Sequence, residues 1–249
     1  MTAPALVALA HGSRDPRSAA TVREMRAQVR ALRPDLRVEV AFLDHCAPSL
    51  AMVFDRLVRA GFEEAVVVPL LLTDAFHARV DVPTAVQAAS RQHPGVRVRA
   101  TPVLGFDQPM LELLDVRLRT ALRAARVREL DGLVLAAAGS SDSLANRGVA
   151  RIARQWGLRH RLPTLVAYAS TAPPATGEAV RAYRANGRRH IAVGSYFLAP
   201  GRLLDRAAEL ALEAGAVAVA EPLGADPRIA RLIVGRYLVG AVEMVPLPA

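Results

Sequence analysis

The run Leu6-Val7-Ala8-Leu9-Ala10-His11-Gly12-Ser13-Arg14-Asp15 contains five apolar residues, then a histidine, a glycine and a polar turn. An apolar run of that length, closed by glycine, reads as a parallel strand covered on both faces. Asp15 or Ser18 then caps a helix whose buried stripe is Val22, Met25 and Val29. The same alternation continues outward. Val38–Phe42, Ala65–Leu71, Val96–Ala100, Leu133–Ala137, Thr164–Ala169, Ile191–Ser195 and Val217–Ala220 read as further strands. Between them, Ser49–Ala60 carries Leu50, Val53, Phe54, Leu57 and Val58 on one helical face and stops at Gly61. Met110, Leu113, Leu114, Leu118, Ala121 and Leu122 mark another helix. Strands alternating with helices imply right-handed crossovers and open parallel sheets.

The pattern occurs twice. Ala136-Ala137-Ala138-Gly139-Ser140-Ser141-Asp142 repeats the opening turn, with Gly139 standing 127 residues after Gly12. Arg59-Ala60-Gly61 has its counterpart in Ala185-Asn186-Gly187, and Asp81 in Asp205. The near-constant offset predicts an α/β chain of two tandem homologous, doubly wound lobes, each with a parallel four-stranded sheet. The lobes are expected over residues 1–126 and 131–249, joined near Val127–Leu130. A single eight-stranded sheet is the alternative topology.

Composition narrows the function. A chain of 249 residues, 52% hydrophobic and 22% charged, has the material for a core and is not a disordered segment. Its apolar runs, such as Ala65–Leu72, fall well short of the roughly 20 residues of a membrane span. The N-terminus lacks a basic start, and its apolar run ends at His11-Gly12, so neither a secretory leader nor a membrane partner is expected and the protein reads as cytoplasmic. The one cysteine, Cys46, excludes an internal disulfide and a cysteine zinc cluster. Net charge is +9, and all 32 basic residues are arginine. With 4% aromatic residues there are few stacking platforms, which argues against nucleic acid. A small polycarboxylate suits the charge better.

In open α/β sheets, ligands bind beyond the carboxyl ends of the strands. His11 follows the first strand, Asp44 and His45 the second, and His77 lies in the loop Thr73–Val80 after the third. The second lobe holds Ala138 opposite His11 and Gly201 opposite His77. Imidazoles on one lobe only point to chemistry there: two histidines and a carboxylate leave open positions on a divalent metal. His45 reads as a residue that caps a helix or bonds a loop carbonyl and points away from the rim, Cys46 as a small buried residue, and His93, His160 and His190 as solvated ones. Trp156 reads as packing between lobes. Gly12, Ser13 and Arg14 open onto a helix N-terminus, where Arg14 and Arg17 add charge for an anionic ligand; an ordinary helix cap explains the same residues. The dinucleotide and phosphate-loop glycine patterns are absent, so no organic cofactor is expected.

These residues resemble a known family. Leu6–Asp15, the string Phe42-Leu43-Asp44-His45-Cys46-Ala47-Pro48-Ser49-Leu50, and Val68-Pro69-Leu70-Leu71-Leu72-Thr73 followed by His77 and Asp81-Val82-Pro83 are similar to the sirohydrochlorin chelatases of the CbiX/SirB type. These are class II tetrapyrrole chelatases, and the resemblance covers the whole chain in its two-lobed form. It implies ATP-independent insertion of Fe2+ or Co2+, with Ni2+ a further candidate, into sirohydrochlorin, on the way to siroheme or cobalamin. By that resemblance His11 and His77 hold metal and accept protons. Asp44 stands where many members have glutamate, and Ala47 where many have glutamate before the proline. The absence of a histidine-rich tail favours iron. The two-lobed form is expected to act as a monomer. A non-catalytic metal or tetrapyrrole carrier of the same fold is the alternative.

Overall fold

The computed structural model describes residues 3–74 and 77–245, with His77 described by its backbone alone. The elements run β1 (Ala5–Ala10), α1 (Pro16–Leu32), β2 (Val38–Phe42), α2 (Leu50–Arg59), β3 (Glu64–Pro69), a π-helical turn at His77–Asp81, α3 (Val82–Gln92), β4 (Arg97–Ala100) and α4 (Gln108–Ala124). There follow β5 (Gly132–Ala137), α5 (Ser143–His160), β6 (Thr164–Tyr168), α6 (Thr176–Ala185), β7 (Ile191–Tyr196), α7 (Arg202–Glu213), β8 (Ala218–Val219) and α8 (Pro227–Val242). Two separate four-stranded sheets form, ordered β2-β1-β3-β4 and β6-β5-β7-β8, and every pair is parallel. The single eight-stranded sheet is thereby excluded.

Burial follows the apolar runs. Every residue of β1 and of β5 is buried, as strands covered on both faces require. In the first sheet Ala5, Val7 and Leu9 face a cluster with Val53, Phe54 and Leu57 of α2 and Val82 and Ala89 of α3. Strand alternation sends Leu6 and Ala8 to the opposite face. In the second sheet Val134 and Ala136 meet Val180 and Tyr183 of α6 and Ala211 of α7. Helix α2 starts where Ser49 accepts the Met52 N–H at 3.4 Å, within one residue of its expected bounds at each end. The last strand shrinks from Val217–Ala220 to Ala218–Val219, although the Ala220 N–H still reaches the Val193 carbonyl at 2.8 Å.

The division of the chain corrects the lobe boundaries read from the sequence. One unit is formed by residues up to Gly105 together with those from Ala225 on, and the other by Phe106–Gly224. Helix α4 packs on β7 and β8, whereas α8 packs on α1, β3 and β4. Each half of the chain thus gives its last helix to the other half's sheet. A periodic apolar stripe states which face of a helix is buried but not which sheet receives it. Among the described residues no helix is long and apolar enough to cross a membrane.

Candidate functional site

The carboxyl ends of the first unit's strands bring together His11, Asp44, His45 and Cys46. Gly12 makes this possible. Its φ is +94°, and a Cβ there would lie 1.9 Å from the Asp44 carbonyl oxygen and 3.3 Å from Cys46 Sγ. Only glycine lets the β1–α1 turn pass this close to the β2–α2 turn. Backbone bonds continue the β1–β2 pairing past both strand ends: the Leu43 N–H donates to the Ala10 carbonyl and the Asp44 N–H to the His11 carbonyl, both at 2.9 Å. The Cys46 N–H then donates to the Asp44 carbonyl at 2.8 Å, closing a turn.

His45 sits in that turn at φ 66°, in the left-handed region where histidine is among the enriched residues. Its N–H donates to Asp44 Oδ1 at 2.6 Å, and its Nδ1 lies 3.5 Å from Asp44 Oδ2. The His45 ring faces the half-buried His11 edge-on, with ring centres 6.0 Å apart and planes at 80°. The sequence suggests instead a His45 that caps or bonds a loop and points away from the rim. The signal that could have found it was an Asp-His pair directly after a strand, opposite Ser170-Thr171 in the repeat. The direction of the ring depends on the left-handed backbone angle, which the residue order does not reveal.

The other expected residues are distributed as follows. The Asp44 side chain is 66% exposed at the rim. Ser13 Oγ accepts the Asp15 N–H at 3.1 Å, and Asp15 caps α1 by accepting the Arg17 N–H at 2.9 Å. Arg17 is drawn onto that cap, its guanidinium 2.5 Å from Asp15, while Arg14 is exposed. Arg17 is therefore engaged with a carboxylate of its own helix. The His77 backbone opens the π-helical turn after β3, and its side chain lies outside the described residues. Among the described residues no group of three or more histidine, cysteine or carboxylate side chains is placed to hold a metal ion. Two histidines expected to be solvated are engaged instead: His93 Nε2 with Asp55 at 2.9 Å and His160 Nε2 with Asp115 at 2.7 Å.

The second unit reproduces the scaffold without the imidazoles. Gly139 has φ +87°, with a Cβ position 2.0 Å from the Ser170 carbonyl oxygen. The Ser170 N–H donates to the Ala138 carbonyl at 3.0 Å, and the Ala172 N–H to the Ser170 carbonyl at 2.7 Å. Thr171 takes the left-handed place of His45 at φ 68°. Ser140 and Asp142 repeat the roles of Ser13 and Asp15 in capping α5. Ala138 stands where His11 stands.

Comparison with known proteins agrees with this repeated scaffold. The chain is 26% identical over 206 residues to a sirohydrochlorin cobaltochelatase of Priestia megaterium, covering 80% of this chain and 66% of that protein. It is 26% identical over 174 residues to a sirohydrochlorin ferrochelatase of the same organism, covering 69% and 64%. The matched stretches thus span slightly less than two thirds of those relatives. Among solved structures, SirB from Bacillus subtilis with Fe3+ superposes with a TM-score of 0.80 at 22% identity, over 97% of this chain and 96% of that one. That likeness is one of fold. The sequence model of the CbiX family matches twice, at residues 5–121 and 132–238, once for each copy of the repeat. With nearly its whole length accounted for by those two matches, the chain belongs to the CbiX family.

Proposed function

We propose that the chain inserts a divalent metal ion, Fe2+ or Co2+, into sirohydrochlorin without ATP. The observation that carries this reading is the asymmetry of the two rims: the first holds His11 and, in the adjoining turn, a second imidazole, and the second holds Ala138 and Thr171 on the same backbone. The curated relatives' names, sirohydrochlorin cobaltochelatase and ferrochelatase, supply the substrate class.

In this reading the metal and the tetrapyrrole are both substrates. A neutral imidazole offers one nitrogen lone pair, which takes either the metal or a proton. His11 and His77 hold the incoming ion with open positions left for the macrocycle. Insertion requires the pyrrole N–H protons to leave, and each histidine released by the metal becomes a base able to take one. Asp44 orients a histidine or accepts a proton. Because histidine binds metal only when neutral, insertion fades below about pH 6. Gly12, Ser13 and Arg14 contact the polycarboxylate substrate, with Arg14 exposed at the rim as its cation. Iron and cobalt are both compatible with two imidazoles and a carboxylate.

The test is anaerobic mixing of the protein with sirohydrochlorin and excess Fe2+, Co2+ or Ni2+ in turn, followed by visible absorption. Wild type is expected to turn over many times. His11→Ala and His77→Ala are expected to reduce insertion by about 100-fold or more with the fold intact, on the scale typical of acid–base groups. Asp44→Asn is expected to slow it less. Normal rates in both histidine variants would remove the metal-handling assignment. A second reading, a non-catalytic metal or tetrapyrrole carrier, is favoured by the short and largely exposed Asp44 carboxylate; it predicts one equivalent bound and no turnover with any metal.

A further inference from the structure

We infer that His45 is a metal ligand acting with His11, so that the incoming ion is first held between these two imidazoles. This rests on the proposed metal-insertion reading and extends it by giving a role to His45, whose imidazole that reading notes but leaves without one. The geometry is the first argument. Two imidazoles that share an ion at about 2.0–2.1 Å from each nitrogen, at tetrahedral or octahedral angles, have ring centres ~4.5–5.5 Å apart. The His11 and His45 ring centres are 6.0 Å apart. An edge-on packing pair spans the same range of separations, and a shift of about 1 Å would bring the two rings to a shared ion.

The second argument is how His45 is held. Its turn is tied to His11 itself, through the Asp44 N–H on the His11 carbonyl at 2.9 Å. The two imidazoles therefore share one backbone frame. Asp44 accepts the His45 backbone N–H at 2.6 Å, and its other carboxylate oxygen stands 3.5 Å from Nδ1, near but beyond hydrogen-bond length. A carboxylate beside Nδ1 favours the tautomer with the proton there and leaves the Nε2 lone pair for a metal. A carboxylate that closes this gap to a hydrogen bond is the usual support of a metal-binding histidine. On this account Asp44 acts as a positioning residue through His45. The His45 side chain is 35% exposed, so an ion from solvent can reach it.

The third argument is the repeat. Thr171 occupies the same left-handed position as His45, φ 68° against 66°, in a turn with the same hydrogen bonds. The fold therefore does not require histidine there. Both imidazoles of the pair are absent together from the second unit, at Ala138 and Thr171.

The test measures metal binding by the full chain in the absence of any tetrapyrrole. Co2+ is titrated into wild type, His45→Asn, His45→Thr and His11→Ala, and read by calorimetry and by the visible bands of bound Co2+. Asparagine tolerates the left-handed angle, and threonine is the residue the second unit already uses there, so the turn survives both changes. Circular dichroism melts check that it does. The expected result is a Co2+ affinity lowered by about tenfold or more in both His45 variants, with altered Co2+ bands and an unchanged melt. Wild-type affinity in the His45 variants, with loss in His11→Ala, would overturn this inference and leave the proposed function standing. Wild-type affinity in His11→Ala as well would remove the metal-handling reading on which the inference rests.

Discussion

Gly12 carries two constraints at once, a φ of +94° and a Cβ position 1.9 Å from the Asp44 carbonyl oxygen. The angle alone costs a substituted residue about 1–3 kcal/mol. The contact cannot be relieved by a side-chain rotation, because the obstructing atom is backbone. Gly12→Ala is therefore expected to destabilise the first unit by more than the angle penalty, and to displace the turn that carries Asp44 and His45. Denaturant unfolding would show a lowered midpoint, and metal insertion would fall with it. An unchanged midpoint would mean that the two turns are not locked together as described. The residue scale is also where the sequence was most and least informative. His11 was legible because a strand, a glycine and a helix fix its place on the rim. His45 was not, because its ring reaches His11 only through a left-handed backbone angle and a turn closed by the Asp44 carboxylate on the His45 N–H. Arg17 looked available to an anionic ligand, but the nearest carboxylate is the Asp15 cap of its own helix.

At the scale of elements, α4 and α5 are joined by a buried carboxylate. Asp115 of α4 is 3% exposed. It accepts from Trp156 Nε1 at 2.9 Å and lies 2.8 Å from Arg159 Nε and 2.7 Å from His160 Nε2. Positions 156, 159 and 160 share one face of α5 at helical spacing. Trp156 then lies flush against β7, where a Cβ on Gly194 would be 2.4 Å from the indole. The tryptophan thus packs inside the unit Phe106–Gly224, which corrects the expectation that it lies between lobes. Removing one partner from a buried, charged cluster costs about 3–5 kcal/mol. Asp115→Ala is expected to destabilise this unit by that order in urea unfolding, whereas Asp115→Asn, which keeps an acceptor for the indole, should cost less. Equal stability of Asp115→Ala and wild type would show that the carboxylate is dispensable. The elements themselves were legible from apolar period and capping residues, and all eight expected strands fall within two residues of their observed ends. The Asp115 cluster was not, because it joins residues 41 to 45 positions apart whose meeting depends on where α4 docks.

At the scale of the whole molecule, the exchange of closing helices decides which pieces of the chain can fold. The unit Phe106–Gly224 is continuous in sequence and holds its own α4. The other unit needs α8, which arrives from beyond residue 225. There, Ile229, Ile233 and Tyr237 are buried, Gly240 sits so close to β3 that a Cβ would meet Val66 at 2.7 Å, and the Tyr237 hydroxyl donates to the Pro4 carbonyl at 2.8 Å. Burying three large side chains is worth about 5–9 kcal/mol, comparable with the whole stability of a domain at about 5–15 kcal/mol. Residues 1–126 taken alone lose this helix and carry α4 in its place. If α4 docked on the first sheet, Asp115 would be buried away from Trp156, Arg159 and His160. The repeat offers Val29 and Leu32 of α1 and its C-cap Arg33 at those positions, 127 residues earlier, and Arg33 is already paired with Asp35 at 2.7 Å. A fragment of residues 106–224 is accordingly expected to melt cooperatively by circular dichroism, and a fragment of residues 1–126 is not. Adding a peptide of residues 225–245 to a fragment of residues 1–105 should restore a cooperative transition, because it returns the apolar face that the first sheet lacks. Cooperative melting of residues 1–126 alone would show that α4 can serve either sheet, and that the exchange reflects the linkage of the chain rather than the fit of each helix to its sheet.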